Sequence, residues 1–154
     1  MRKYSVPVAI VLLIALDQLV KWWTVENIAL DTVRDFIPKV MSLAYLRNYG
    51  AAWSLLQNQQ TFFAIMTVIV MSGAIWYLIK HLQGSIWMIV GLCLVIAGGL
   101  GNFIDRVRLG YVVDMFHLDF INFPVFNVAD SYLTVGVLIL FVWMMKEEDN
   151  GVNN

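Results

Sequence analysis

Aspartates and asparagines recur in this chain at spacings that place them on shared faces. Asn102, Asp105 and Arg106 stand at i, i+3 and i+4, and Asn127, Asp130 and Ser131 repeat the pattern; on a helix such residues lie together. Asp114 falls between the two groups, Asp17 lies within "DQLVKW", and Asn48 precedes Gly50 in "RNYGAAW". Two carboxylates on separate segments suit water activation with a shared proton, because like charges about 3 Å apart do not both ionise. The ionised member takes a proton from water, the water attacks a carbonyl, and the protonated member hydrogen-bonds the carbonyl oxygen. Blander readings fit single groups. Asn127 with Asp130 suits a helix N-cap with an acidic residue in the first turn, and Asp105 with Arg106, or Arg106 with Asp114, suits a structural ion pair. Other chemistries find less support: Ser54 and Ser131 have no evident histidine relay, and Cys93 lies mid-run as a small packing residue. His117 and Asp119 lack the second histidine or cysteine cluster of a metal site, so no metal or other cofactor is expected.

The elements that must position these residues are membrane spans. Of 154 residues 60% are hydrophobic and 14% charged, with a mean hydropathy of +0.74, far from the roughly 25% charged residues of an ordinary soluble domain. A net charge of -1 offers no general attraction to nucleic acid or anionic lipid. The length suits one domain over 1–154, with no linker or repeat. Four runs reach the roughly 20 residues a span needs, at about 5–23, 61–79, 86–105 and 129–145. The first carries Asp17 and Gln18 and has no small-residue cleavage site, so it reads as a retained span. The short "KHLQG" makes a hairpin of the second and third runs, which places 24–60 and 106–128 on one membrane face, opposite both termini. Arg2, Lys3, Lys80 and Lys146 favour cytoplasmic termini. "VMSLAYLRN" has strand character, and a small surface sheet is expected there beside an interfacial Trp22–Trp23 anchor. The fold class is therefore an all-α integral membrane protein with four transmembrane helices and a small extracytoplasmic sheet. All the polar residues singled out then converge at one depth near one surface. Asp17 keeps a rival open, since an intramembrane carboxylate also suits a proton-coupled transporter; a metal-dependent phospholipid enzyme is the other rival.

"DQLVKW" at 17–22, "RNYGAAWSLL" at 47–56, "GGLGNFIDRVRLGYVVDMF" at 98–116 and "FNVADSYLTVG" at 126–136 resemble, in order, the signature blocks of bacterial lipoprotein signal peptidase, the signal peptidase II family. The resemblance implies an aspartic endopeptidase with Asp114 and Asp130 as its catalytic pair, supported by Asp17, Asn48, Gly50, Asn102, Arg106, Asn127 and Ala129. It also implies cleavage of prolipoproteins on the amino side of a diacylglyceryl-modified cysteine. The implied setting is a monomer among the lipids of the bacterial cytoplasmic membrane, with its site at the outer leaflet and a short helix beside the surface sheet in the first outer loop. Trp53 and Met115 depart from the pattern where phenylalanine is commoner, and Arg106 is expected to stand offset from the carboxylate pair, since direct contact would favour double ionisation.

Overall fold

The computed structural model describes residues 1–50 and 59–152. The elements run α1 (Arg2–Asn27), β1 (Val33–Ile37), β2 (Met41–Asn48), α2 (Gln60–Lys80), α3 (Ile86–Leu109), β3 (Val112–Leu118) and α4 (Val128–Val152). All four helices are long and apolar enough to cross a membrane, and each outruns the sequence-based span by a few residues. In α3, 61% of the spanning window is buried, against 11–17% in the other three. The third helix is therefore the axis of the bundle, and the others lay their apolar outer faces toward lipid.

Close packing on α3 rests on small residues. A Cβ on Gly98 would run into the Ala129 carbonyl oxygen of α4, and one on Gly101 would lie 2.6 Å from Asp17 Oδ2. Glycine at these positions lets the first turn of α4 lie directly against α3. At its far end α3 stops on Gly110, whose φ of 79° is the left-handed cap glycine readily adopts.

The strand expected at "VMSLAYLRN" is β2. It is the middle strand of a three-stranded antiparallel sheet, order β1-β2-β3. The sequence by itself marks neither β1 nor β3 as a strand, and Asp114 is expected in the second outer loop. The structure places Asp114 on β3, opposite Leu46 of β2. Phe126 extends this edge through a bridge to Phe116. The short helix expected in the first outer loop, together with Trp53 and Ser54, lies outside the described residues.

Two apolar clusters flank the polar layer. Val6, Leu78, Met88, Ile89, Leu92, Cys93 and Ile96 pack between the helices toward the end that carries the termini. Ile28, Tyr45, Val113 and Met115 pack beneath the sheet at the opposite end. Met115 is fully buried there, so its departure from phenylalanine alters the sheet's underside. Cys93 is a core residue, as its mid-run place suggests.

Candidate active site

Between these clusters α1, α3, β2, β3 and α4 contribute one continuous hydrogen-bonded layer. It begins at the start of α4, where Asn127 and Asp130 cap each other. The Asp130 N–H donates to Asn127 Oδ1 at 2.9 Å, and the Asn127 N–H donates to Asp130 Oδ2 at 3.2 Å, a reciprocal capping pattern. The capping geometry anticipated from sequence is therefore present, and it leaves the Asn127 amide nitrogen free to donate elsewhere. It reaches Asp114 Oδ1 at 2.7 Å and Asn102 Oδ1 at 3.1 Å. Asn102 in turn donates through Nδ2 to Asp130 Oδ1 at 2.7 Å, and Asn48 donates to Asp114 Oδ2 at 2.9 Å. Three asparagines thus hold two carboxylates, with Asn127 bonded to both.

Asp114 is almost fully buried. Burial, and then the nearby charge of Asp130, push its carboxyl from the ordinary 3.8 up to about 7, against the opposing pull of Asn48 and Asn127. A carboxyl so placed can hold a proton at neutral pH beside an ionised partner. A cavity of about 640 Å³ opens on this pair. Seven of the residues singled out from sequence line it: Asn48, Gly50, Asn102, Arg106, Asp114, Asp130 and Ser131. The rest of the wall is largely apolar, with Leu118, Phe123, Phe126, Leu133 and Val135 among its residues.

Asp17, Asn127 and Ala129 lie behind that wall. The Asp17 side chain is wholly buried and accepts the Ala129 N–H at 2.9 Å. It therefore anchors the first turn of α4, which gives a structural reason for an intramembrane carboxylate and removes the motive for reading it as a proton carrier. Gly50 is placed by Asn48, whose Oδ1 accepts the Gly50 N–H at 2.9 Å. Among the described residues Arg106 makes no ion pair with either carboxylate. Its Nη2 donates to the Gly50 carbonyl at 3.3 Å, and its guanidinium carbon lies 4.9 Å from the Phe63 ring centre, while its buried Nε has no hydrogen-bond partner among the described residues.

The ion pairs suggested from sequence, Asp105–Arg106 and Arg106–Asp114, are replaced by a different one. Asp105 pairs with Lys21, Nζ to Oδ2 3.1 Å, and Lys21 also pairs with Asp17 at 3.0 Å. Neighbouring residues on a helix point apart, so Asp105 faces the bundle interior while Arg106 turns toward α2. Asp105 also accepts the Val113 N–H at 3.1 Å, tying β3 to α3, and Gln18 bridges Asp17 and Asp105. The sequence marks Gln18 only as a polar residue inside the first span and does not single out Lys21. The available signal was a lysine four residues after Asp17 within an otherwise apolar run.

The family model described as Signal peptidase (SPase) II matches residues 9–146. The chain belongs to the signal peptidase II family. It is accordingly a protease of the membrane, and relatives match it end to end. The lipoprotein signal peptidase of Streptococcus agalactiae serotype V is 60% identical over 154 residues, covering 100% of both chains. That of Streptococcus pneumoniae strain R6 is 64% identical over 150 residues, covering 97% of this chain and 98% of its own. A bacterial membrane enzyme solved by the in meso method at 2.3 Å resolution superposes with a TM-score of 0.90 at 35% identity, covering 95% of this chain and 90% of that one. A second, at 1.9 Å, gives 0.84 at 35% identity over 92% and 93%. This signal peptidase II thus presents one buried and one half-buried carboxylate, Asp114 and Asp130, at the wall of a largely apolar cavity, an arrangement that can activate water without a nucleophilic side chain.

Proposed function

We propose that Asp114 and Asp130 are the catalytic pair of an endopeptidase that removes the signal peptide from diacylglyceryl-modified prolipoproteins, cutting on the amino side of the lipidated cysteine. The observation that carries this is Asn127, whose side-chain Nδ2 donates to the Asp114 carboxylate and whose backbone N–H donates to the Asp130 carboxylate at the cavity wall. The pair shares one proton. Its ionised member takes a proton from a bound water as the water oxygen attacks the scissile carbonyl. The protonated member donates to the carbonyl oxygen of the tetrahedral intermediate. Collapse breaks the C–N bond, and the proton gained from water passes to the departing cysteine nitrogen.

Asn48, Asn102 and Asn127 hold the carboxylates. Asp17 and Ala129 fix the helix end that carries Asp130, and Gly50 with Arg106 shapes the cavity mouth. Arg106 Nε, which has no hydrogen-bond partner among the described residues, suits a carbonyl of the bound peptide. The apolar lining suits the acyl chains of the modified cysteine, which remain in the bilayer while the scissile bond meets water near its surface. The chain works as a monomer in the bacterial cytoplasmic membrane, surrounded by its lipids, with the site at the outer leaflet and both termini in the cytoplasm. Arg2 supports that orientation by donating to the Gly84 carbonyl at 2.8 Å, which gathers Arg2, Lys3 and Lys80 at one end of the bundle. Incubating purified protein with a diacylated precursor tests the reading: parent protein releases a shortened lipoprotein of the expected mass, in excess EDTA as well as without it. Absence of that product in lipid, with folded protein, overturns it.

A further inference from the structure

Lys21 is an ammonium with 3% exposure inside the polar layer, and its three donors are all used. Two go to Asp17 Oδ2 and Asp105 Oδ2, and the third goes to Asn102 Oδ1 at 2.9 Å. A lysine has no acceptor, so the Asn102 amide must turn its oxygen toward Lys21. That oxygen also takes the Asn127 Nδ2 donor at 3.1 Å, which fills both lone pairs. The Asn102 Nδ2 end is left facing Asp130 Oδ1, where it donates at 2.7 Å.

We infer that Lys21 is a positioning residue for the reaction: by fixing the polarity of the Asn102 amide it makes Asp130 the ionised member of the pair and leaves the shared proton on Asp114. This deepens the catalytic reading above and rests on it. Asp130 meets the Asn102 donor on one oxygen and the Asn127 N–H on the other, and it sits in the first turn of α4, where a helix N-terminus favours negative charge. Asp114 also has two donors, Asn48 and Asn127, but it projects from a strand and not from the first turn of a helix. Its carboxyl, pushed up to about 7 by burial and then by Asp130, is suited to keep a proton at neutral pH. The charged groups facing the pair are few. They are Asp17 and Lys21 from α1 and Asp105 and Arg106 from α3, with each aspartate facing the other from β3 and α4. The α2 residue at the cavity is Thr67, and Arg47 is directed away, stacked on Tyr111 and Tyr45.

Lys21→Met alone would strand two buried carboxylates, so the test is the double variant Lys21→Met/Asp105→Asn. It removes one charge of each sign and leaves the local net charge of Asp17, Lys21 and Asp105 at its parental value, while Asn102 becomes free to turn its oxygen on Asp130. Cleavage of the diacylated precursor should then lose about 10-fold or more in kcat with KM within about 2-fold. The acid limb of kcat/KM, which reports the free-enzyme base, should move up by about one pH unit. A folded double variant with parental kcat and parental acid limb overturns the inference. Should that variant fail to fold, the parent protein decides. With ¹³C-labelled aspartate carboxyls, the resonance lost in Asp114→Asn should titrate near neutral pH and the one lost in Asp130→Asn should stay ionised there; the reverse order overturns it. Activity remaining in Asp114→Asn or Asp130→Asn would instead remove the catalytic reading itself, and the two failures stay separate.

Discussion

Asp130 occupies the third position of α4 and caps it together with Asn127, so capping and the proposed catalytic role make different demands on the same side chain. Asparagine caps a helix about as well as aspartate. Asp130→Asn should therefore keep a thermal midpoint in detergent close to the parent's, yet cleave no precursor, because an amide takes no proton from water. Asp114→Asn should be equally inactive, and the double variant scarcely worse than either, since members of one catalytic unit are strongly non-additive. Substantial cleavage by either single variant rules out the pair. Asp114 carries a second expectation. Its folded carboxyl titrates near 7 against an ordinary 3.8, through burial first and the Asp130 charge second. Between those values the folded state binds more protons than the unfolded one, so this group's contribution is full below about 3.8 and is lost as pH rises toward 7. The stability advantage of Asp114→Asn over the parent should accordingly grow as pH is raised from 4 to 7; a constant gap between the two melting curves would contradict it. The asparagines and both aspartates were legible in the sequence because polar residues in an apolar chain are costly and so stand out. Lys21 was passed over because a lysine near a helix end reads by default as snorkelling to the interface, and only its three buried partners show otherwise.

At the scale of elements, the site depends on how closely α3 and α4 approach. The first turn of α4 reaches the Asp17 carboxylate because Gly98 and Gly101 leave room for it. Gly98→Ala would press a methyl group on the Ala129 carbonyl, and Gly101→Ala would place one against Asp17 Oδ2 and the Ala129 Cβ. Each should destabilise by about 1–3 kcal/mol and cut turnover by shifting the helix end that carries Asp130. Gly73→Ala on α2, where a Cβ meets nothing within 4 Å, serves as the control and should be neutral or slightly stabilising. Equal melting temperatures and rates for all three variants would show that this close packing does not position the site. The four helices were readable from apolar run lengths alone. The third strand was not, because "VVDMF" is too short to declare itself by period. Its extension depends on pairing with β2, more than sixty residues earlier in the chain.

For the whole molecule, the cavity's apolar wall and its place at the end of a membrane bundle bear on how substrate is recognised. Each acyl methylene buried contributes about 0.8 kcal/mol, far more over two chains than a few small residues flanking a scissile bond can supply. A precursor whose cysteine is unmodified should therefore be cleaved at least about 100-fold less efficiently in kcat/KM than its diacylated form; comparable rates for the two would remove the lipid from recognition. By itself the sequence determined the membrane setting, the four spans, the hairpin that gathers both long loops at one end, and the motif blocks of the family. Each of these follows from hydrophobicity and local spacing, which the backbone converts directly into helix length and face. The tertiary structure alone decided that Asp17 anchors Ala129, that Asp114 rides on a strand, that Asp105 pairs with Lys21 and not Arg106, and that Asn127 bonds both carboxylates, Asp114 through its side chain and Asp130 through its backbone N–H. The longest of those bonds links residues 112 positions apart, and it exists because glycine-permitted packing of α3 brings α1, α4 and the sheet to the same buried layer, where nearly all buried polar groups find partners.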